Sequence, residues 1–489
     1  MIARSRFAPT RMTRTFAALL GGQIGARTVR IVYIVVLARL IEPSQLGLYL
    51  YGIAVYVVLL GLSGFGQNLF LAARLPHRTA TQTWFSHSLT IRLGMTALAG
   101  LAGLTFLWVQ ESDPLVLTAL TLFLGALAAR SIASWVREAH VALEDAAWIP
   151  RYETGFRATE AVAGVTLALA GVGIVWLAAL HFTVWTLEAA ASVRLMVRRG
   201  LWPARLGRRL RLLAPMTGAS FWYTVSSGLI IAYSQVSVVG LRLFDASVAS
   251  IGQFAVANQG LLALLLVPST LAAALVPALS RVRRSGAAED QRAVTALLRW
   301  TLAAGAGLAI LVEGYGIQAG TYILGERYGD AGRLFTALAW AAGPYAAAIV
   351  ALQSLNALNQ KRKAAAVAAS MMATQAAVLA TLHPWAGQDA ASIATVAGAL
   401  TGCVAGAILV GIALQDRRVL CWLIPLLASA GAAASMRLVP VDATILSPFV
   451  LAALIAVLVA TRVFARDDLF YVLRRFGGRA SRAQGRASS

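Results

Sequence analysis

Apolar runs longer than the ~18 residues that mark a membrane-crossing helix recur from one end of this chain to the other. That feature leaves few folds open. A lipid bilayer offers no water to exposed backbone N–H and C=O groups, so only helices and closed barrels cross it. Barrel strands read as short alternating segments, whereas these runs are continuous. The chain is therefore expected to be an all-α polytopic membrane protein. Composition agrees, with 59% hydrophobic and 13% charged residues, against about 25% charged in soluble domains. Fourteen spans are expected, at residues 15–40, 46–72, 83–109, 114–136, 155–172, 175–197, 213–240, 248–279, 293–322, 332–356, 363–383, 389–414, 419–437 and 445–464. Only Gly-Val-Gly-Ile at 171–174 divides the fifth from the sixth. If those two were one helix, every later loop would change sides.

Loop charge orients the spans. The formal net charge is +22, and the only lysines are Lys361 and Lys363. In a soluble protein such a balance points to nucleic acid, but here the basic residues sit in short gaps between apolar runs, and no nucleic-acid partner is expected. With the N-terminus inside, alternate gaps collect Arg74 and Arg78, Arg137 and Arg151, Arg198 to Arg211, Arg281 to Arg292, Lys361 to Lys363, and Arg417 with Arg418. The other gaps hold Glu42, Glu111, Asp113, Asp245, Glu326, Asp330, Asp389 and Asp442, with Arg242, Arg327 and Arg333 as exceptions. This bias places both termini in the cytoplasm and favours separate fifth and sixth spans. The expected organisation is an N-lobe at 1–197, a basic cytoplasmic linker at 198–212, a C-lobe at 213–414, two further spans within 415–464 and a basic tail at 465–489. The linker either lies as an amphipathic helix on an anionic membrane surface or serves as a topology anchor. The first apolar stretch reads as a span, not a cleaved signal peptide. Cys403 and Cys421 fall in or beside apolar runs, so neither a disulfide framework nor a metal site is indicated, and no cofactor is implied.

One polar corner occurs twice. Arg39-Leu-Ile-Glu-Pro-Ser44 is echoed 203 residues later by Arg242-Leu-Phe-Asp-Ala-Ser247. Both copies follow a span, the first and the seventh, and a six-span interval gives them the same orientation. Two parallel halves, related by a pseudo-twofold axis along the membrane normal, are the expected consequence.

Ala38-Arg39-Leu40-Ile41-Glu42-Pro43, followed by Leu46, Gly47 and Tyr49, resembles a corner of the bacterial oligosaccharide flippases of polysaccharide synthesis. These belong to the multidrug/oligosaccharidyl-lipid/polysaccharide exporter superfamily. Their usual glycine before the proline is Glu42 here. Val267 to Arg281, Leu324 to Ala331 and Leu355 to Lys363 resemble the family's eighth span, the outer corner after its ninth, and the inner end of its tenth. The resemblance implies twelve core helices in two six-helix lobes, arranged as a V around a cavity that opens alternately to either side, with two extra C-terminal helices. It also implies an undecaprenyl-diphosphate-linked oligosaccharide as cargo and the bacterial inner membrane as location.

Candidate site residues follow from polar groups inside spans. Gln23, Arg27 and Arg30 lie at i, i+4, i+7 on one face of the first span, the arginines near mid-bilayer. Each intramembrane arginine costs about 2.5–3.5 kcal/mol on insertion scales, so the pair needs anions or water. A diphosphate suits the guanidinium fork. Pairing with Glu160 or Glu188 is the structural alternative, although Arg92 and Arg130 in the same half also need partners. Tyr223, Thr224, Ser227 and Ser234 of the seventh span, Tyr56 of the second, and Gln253, Asn258 and Gln259 of the eighth are candidate sugar or cavity contacts. Such small polar residues equally mark helix–helix packing. Glu313, Glu160 and Glu188 are candidate ion-coupling acids, with structural contacts to other helices as the alternative.

No P-loop and no long outer loop with paired acids is present. An enzyme is therefore not expected, and the resemblance implies a transporter that flips a lipid-linked oligosaccharide by alternating access, for exopolysaccharide, capsule or O-antigen synthesis. Its expected partners are that substrate, membrane lipids and other polysaccharide-assembly membrane proteins, with oligomeric state left open. The rival readings are a cation-coupled multidrug exporter, a peptidoglycan-precursor flippase of the same fold, and a membrane glycan polymerase or ligase.

Overall fold

The computed structural model describes residues 11–67, 81–143, 148–203, 205–207, 210–266, 288–414, 423–439 and 441–461. The proline-bearing part of the eighth span, Asn68, the basic segments around 281–284 and 417–418, and the tail at 465–489 lie outside them, as does the side chain of Gln23.

Fifteen α-helices make up the described chain, and no strand occurs among the described residues. They are α1 (Arg11–Leu40), α2 (Pro43–Ser63), α3 (Thr81–Gln110), α4 (Pro114–Ala142), α5 (Ile149–Leu169), α6 (Ile174–Arg198), α7 (Leu210–Leu243), α8 (Val248–Leu264), α9 (Ala288–Leu324), α10 (Gly329–Ala339), α11 (Ala342–Ala357), α12 (Lys361–Ala386), α13 (Asp389–Leu414), α14 (Leu423–Leu438) and α15 (Ala443–Ala460). A described helix overlaps each of the fourteen expected intervals, the tenth as a pair in which the segment ending in α10 meets α11 at 51°. By length and apolarity nine described helices can cross a membrane, or ten with the bent pair counted as one. Neither α1 nor α5 is among the nine. The protein is a multi-pass membrane protein.

The turn that divides α5 from α6 is explicit. Gly171 adopts φ +72°, and the amides of Gly171 and Val172 bond back to the carbonyls of Ala168 and Leu167. This Schellman arrangement ends a helix by placing one residue in the left-handed region, where glycine has no Cβ penalty. Two acids of the expected outer turns, Asp113 and Asp442, cap the helices that follow them. Asp113 accepts the Leu115 amide at 2.8 Å, with Pro114 as the first helical residue of α4. Asp442 accepts the Thr444 hydroxyl at 2.6 Å and its amide at 2.8 Å, which hold its carboxyl below the usual range.

The chain divides into two compact units, Met1–Val256 with Ile323–Tyr328, and Ala257–Tyr322 with Gly329–Ser489. In the second, α9, α14 and α15 share a core of Ala303, Ile310, Met436 and Leu454. There the Trp340 indole donates to Glu313 at 2.8 Å, and Arg437 lies 4.0 Å from the same carboxylate.

In the first unit the two copies of the corner meet. A Cβ on Gly47 of α2 would stand 2.2 Å from the Val248 carbonyl, and one on Gly252 of α8 would stand 2.1 Å from the Pro43 carbonyl. Each glycine thus rests on the carbonyl four residues before the other, a reciprocal contact that no side chain larger than hydrogen permits. The repeated arginines are reciprocal too. Arg39 donates to the carbonyl of Ile323 at the end of α9. Arg242 forms a two-point bond, at 2.9 and 2.6 Å, with Glu111 just past the end of α3. The third helix and the ninth occupy equivalent places six spans apart, so each arginine serves the opposite half of the repeat. This accounts for Arg242 as an exception to the loop-charge bias, since Glu111 compensates it.

Candidate functional site

A cavity of about 460 Å³ lies inside the first unit. Its walls are built by helical spacing. Arg27, Arg30 and Ile34 come from α1, and Tyr49, Ile53, Tyr56 and Leu60 from α2. Opposite them stand Arg130, Ala133 and Arg137 of α4, Glu153, Arg157 and Glu160 of α5, and His181, Trp185 and Glu188 of α6. Intervals of three and four residues keep each set on one face of its helix. Charged residues on the inner faces of α1 and α5 do not exclude these helices from a bilayer, because that face looks onto polar space rather than lipid.

Most of the charge is compensated in place. Arg157 bonds both Glu160 and Glu188, the latter at 2.5 Å. Glu160 also holds His181 through Nδ1 at 2.5 Å. A carboxylate only accepts, so the proton of that bond sits on the ring nitrogen. The rings of Tyr56 and Phe123 pack on His181 at centroid distances of 5.4 and 5.2 Å. Arg137 meets Glu153 at 3.3 Å. Arg92, only 2% exposed, is wrapped by Glu138 at 3.4 Å, the Ser131 hydroxyl at 2.8 Å and the Gly64 carbonyl at 3.2 Å.

Arg130 stands differently. Its guanidinium donates to the Tyr56 hydroxyl and lies 4.8 Å from the centre of the Trp185 ring, which Arg157 also approaches, at 3.8 Å. Neither Arg130 nor Arg30 pairs with a carboxylate among the described residues. Six arginines line the cavity against four glutamates, so cations outnumber acids among the lining residues.

The structure brings Arg27, Arg30, Tyr56, Ser227, Glu160 and Glu188 to this one cavity. Tyr223, Thr224 and Ser234 do not line it. The hydroxyls of Thr224, Ser227 and Ser234 bond to carbonyls of their own helix, at 3.0, 2.6 and 2.7 Å, the arrangement expected of packing residues. Gln253 donates to the Arg327 carbonyl at 2.7 Å, away from the cavity. Asn258, Gln259 and Glu313 belong to the second unit. Glu160 and Glu188, expected as partners for Arg27 and Arg30, bond Arg157, and Glu160 also bonds His181. Arg157, Glu153 and Glu138 were not singled out from the sequence. The signal available for the α5 pair was their i, i+4, i+7 register with Glu160.

The polysaccharide biosynthesis protein family matches residues 12–283, more than half of the chain. The chain belongs to this family. A comparison with curated protein sequences finds no match. Among solved structures, it is similar to the lipid II flippase MurJ in an inward closed conformation, with TM-score 0.67, 13% identity, and coverage of 92% of this chain and 99% of that one. It is also similar to an inward-facing multidrug resistance MATE family transporter of the MOP superfamily, with TM-score 0.61, 12% identity, and coverage of 81% and 98%. The Vibrio cholerae MATE transporter VcmN in its bent form gives TM-score 0.54 at 11% identity, with coverage of 84% and 98%. At these identities the likeness establishes the fold, and it extends over most of this family member.

Proposed function

We propose that the protein is a flippase that carries a polyprenyl-diphosphate-linked oligosaccharide across the bacterial inner membrane by alternating access. The observation that carries this reading is the cationic excess of a cavity set among membrane-spanning helices. A cavity whose cations outnumber its acids attracts anions, and a ligand that supplies negative charge there gains on binding. A diphosphate diester carries two negative charges and accepts hydrogen bonds in the planar, forked geometry that guanidinium groups offer. The lipid tail stays in the bilayer while the head group occupies the cavity. Family membership supports a role in polysaccharide synthesis.

The same excess disfavours export of organic cations, which the arginines would repel. A second reading, flipping of a peptidoglycan precursor, draws support from the MurJ-like fold. Complementation of a strain lacking that activity separates the two. The head-group assignment is tested by reconstitution in liposomes. Replacing Arg27 and Arg30 together with alanine is expected to lower flipping of the native lipid-linked sugar at least tenfold, the scale of one lost charge-assisted hydrogen bond. Unchanged flipping by the double variant overturns the assignment.

A further inference from the structure

We propose that the segment between α6 and α7 forms, with the end of α6, a docking surface for the head groups of anionic phospholipids in the cytoplasmic leaflet. Residues 194–207 do not line the cavity, so this surface is separate from the cargo site. Between Arg198, which ends α6, and Leu210, which opens α7, the described residues form no helix. They run instead as a strap against the first two turns of α3. The Gln82 side-chain amide donates to the Gly200 carbonyl at 2.9 Å, and the Ser86 hydroxyl donates to the Arg205 carbonyl at 2.6 Å. The Gly207 amide returns a bond to the Ser86 carbonyl at 3.3 Å. Trp202 holds the middle of the strap down, its ring edge-on to buried Trp135 at 5.8 Å. A Cβ on Gly207 would stand 2.5 Å from the His87 ring.

Pinned in this way, the strap turns its cations outward. Arg194, Arg198, Arg199 and Arg205 are exposed, whereas Pro203 and Gly207 are buried. Arg194 and Arg198, four residues apart, share a face of α6. Arg205 is brought to the same end because Gly200 and Arg205 are bonded to consecutive turns of α3. The acids described at this end are paired, Glu138 with Arg92 and Glu153 with Arg137. Glu144 and Asp145 lie outside the described residues. Val197 and Leu206, 55% and 47% exposed, set apolar side chains among the cations. Half-buried Trp84, Trp148 and Trp202 gather at the same end, with Arg199 5.5 Å from the centre of the Trp148 ring. Tryptophan collects at the level of lipid head groups, and loop charge assigns this end to the cytoplasm. A topology signal needs cations in a loop but no fixed backbone. Here the backbone is fixed, and it presents arginines with exposed apolar side chains at head-group depth, the combination that binds an anionic interface.

The test uses the full-length protein reconstituted in mixed phosphatidylcholine and phosphatidylglycerol vesicles. The protein is extracted in mild detergent, and mass spectrometry counts the lipids that stay bound. The wild type is expected to retain phosphatidylglycerol in preference to phosphatidylcholine. Arg194→Gln, Arg198→Gln and Arg205→Gln together are expected to lower that preference by about fivefold or more, the worth of one cation near an anionic surface. Lysine at the same three positions is expected to keep it. Glutamine in place of Lys361, Arg362 and Lys363 removes as much charge elsewhere on the cytoplasmic side and is expected to leave the preference unchanged. A wild type with no preference overturns the proposal. So does an equal loss in the two glutamine triples, because net charge and not this surface would then hold the lipid. A loss in the lysine triple as large as in the glutamine triple overturns it too, since charge would not be what binds. Displacement of the lipid by inorganic phosphate, beyond that by chloride at equal ionic strength, would give the site to a free anion and overturn the lipid assignment.

Discussion

Arg157 shows how much one side chain can hold in a membrane interior. It bonds two glutamates whose side chains are 7% and 4% exposed, and stacks on Trp185. Removing one partner of a buried ionic set strands the others, at a cost of about 3–5 kcal/mol. Arg157→Ala is therefore expected to lower stability by that amount in denaturant unfolding of the detergent-solubilised protein. Adding Glu188→Gln to the variant is expected to restore part of the loss. No restoration would show that Glu188 is not the stranded charge. Sequence reading found Arg27 and Arg30 because two arginines deep in one apolar run violate its pattern. It passed over Arg157 because that residue lies near the expected start of a span, where cations are ordinary. It treated Arg137 as a loop charge for the same reason, since pairing with Glu153 depends on how α4 and α5 pack and leaves no mark in either segment. Arg130 was legible as a cation in need of a partner. That its partners are a tyrosine and a tryptophan was not.

At the scale of elements, α2 and α8 approach as closely as backbone allows at Gly47 and Gly252. Alanine normally favours a helix over glycine by about 1 kcal/mol. Here a methyl group would meet a carbonyl oxygen, and overpacking of this kind costs about 1–3 kcal/mol. Gly47→Ala and Gly252→Ala are each expected to lower the melting temperature, by similar amounts because the two contacts mirror each other. A Gly47→Ala protein that melts with the wild type would show that the helices part freely. The Arg-Leu-x-acid-x-Ser corner was legible because it recurs, and so was the pattern Leu-Gly-Leu-Tyr (46–49) against Ile-Gly-Gln-Phe (251–254). The contact between the copies was not legible, since nothing in a single sequence says which glycines touch. The separate α5 and α6 could be read from loop charge, and the Schellman turn at Gly171 supplies the local reason.

For the whole molecule, hydropathy and arginine placement disclosed an all-helical membrane chain, because those signals are set by the solvent and not by particular contacts. The cavity depends on which faces of seven helices meet, so its shape was beyond that reach while its sign of charge was not. That sign has an electrical consequence. On the proposed function, a doubly negative cargo offsets the cationic excess of the empty site, so the loaded carrier would be nearly neutral. A membrane potential does about 2.3 kcal/mol of work per elementary charge per 100 mV when that charge crosses the full field. Voltage then has little to act on in the outward, loaded stroke. It acts on the vacant carrier, which an inside-negative potential draws back toward the cytoplasm. Imposing such a potential on proteoliposomes is expected to speed repeated cycles and to leave a single turnover unchanged. An equal acceleration of both would place uncancelled charge on the loaded form. On the proposed function, the arginines that would receive the cargo would also serve as the gating charge that returns the empty carrier to its starting point.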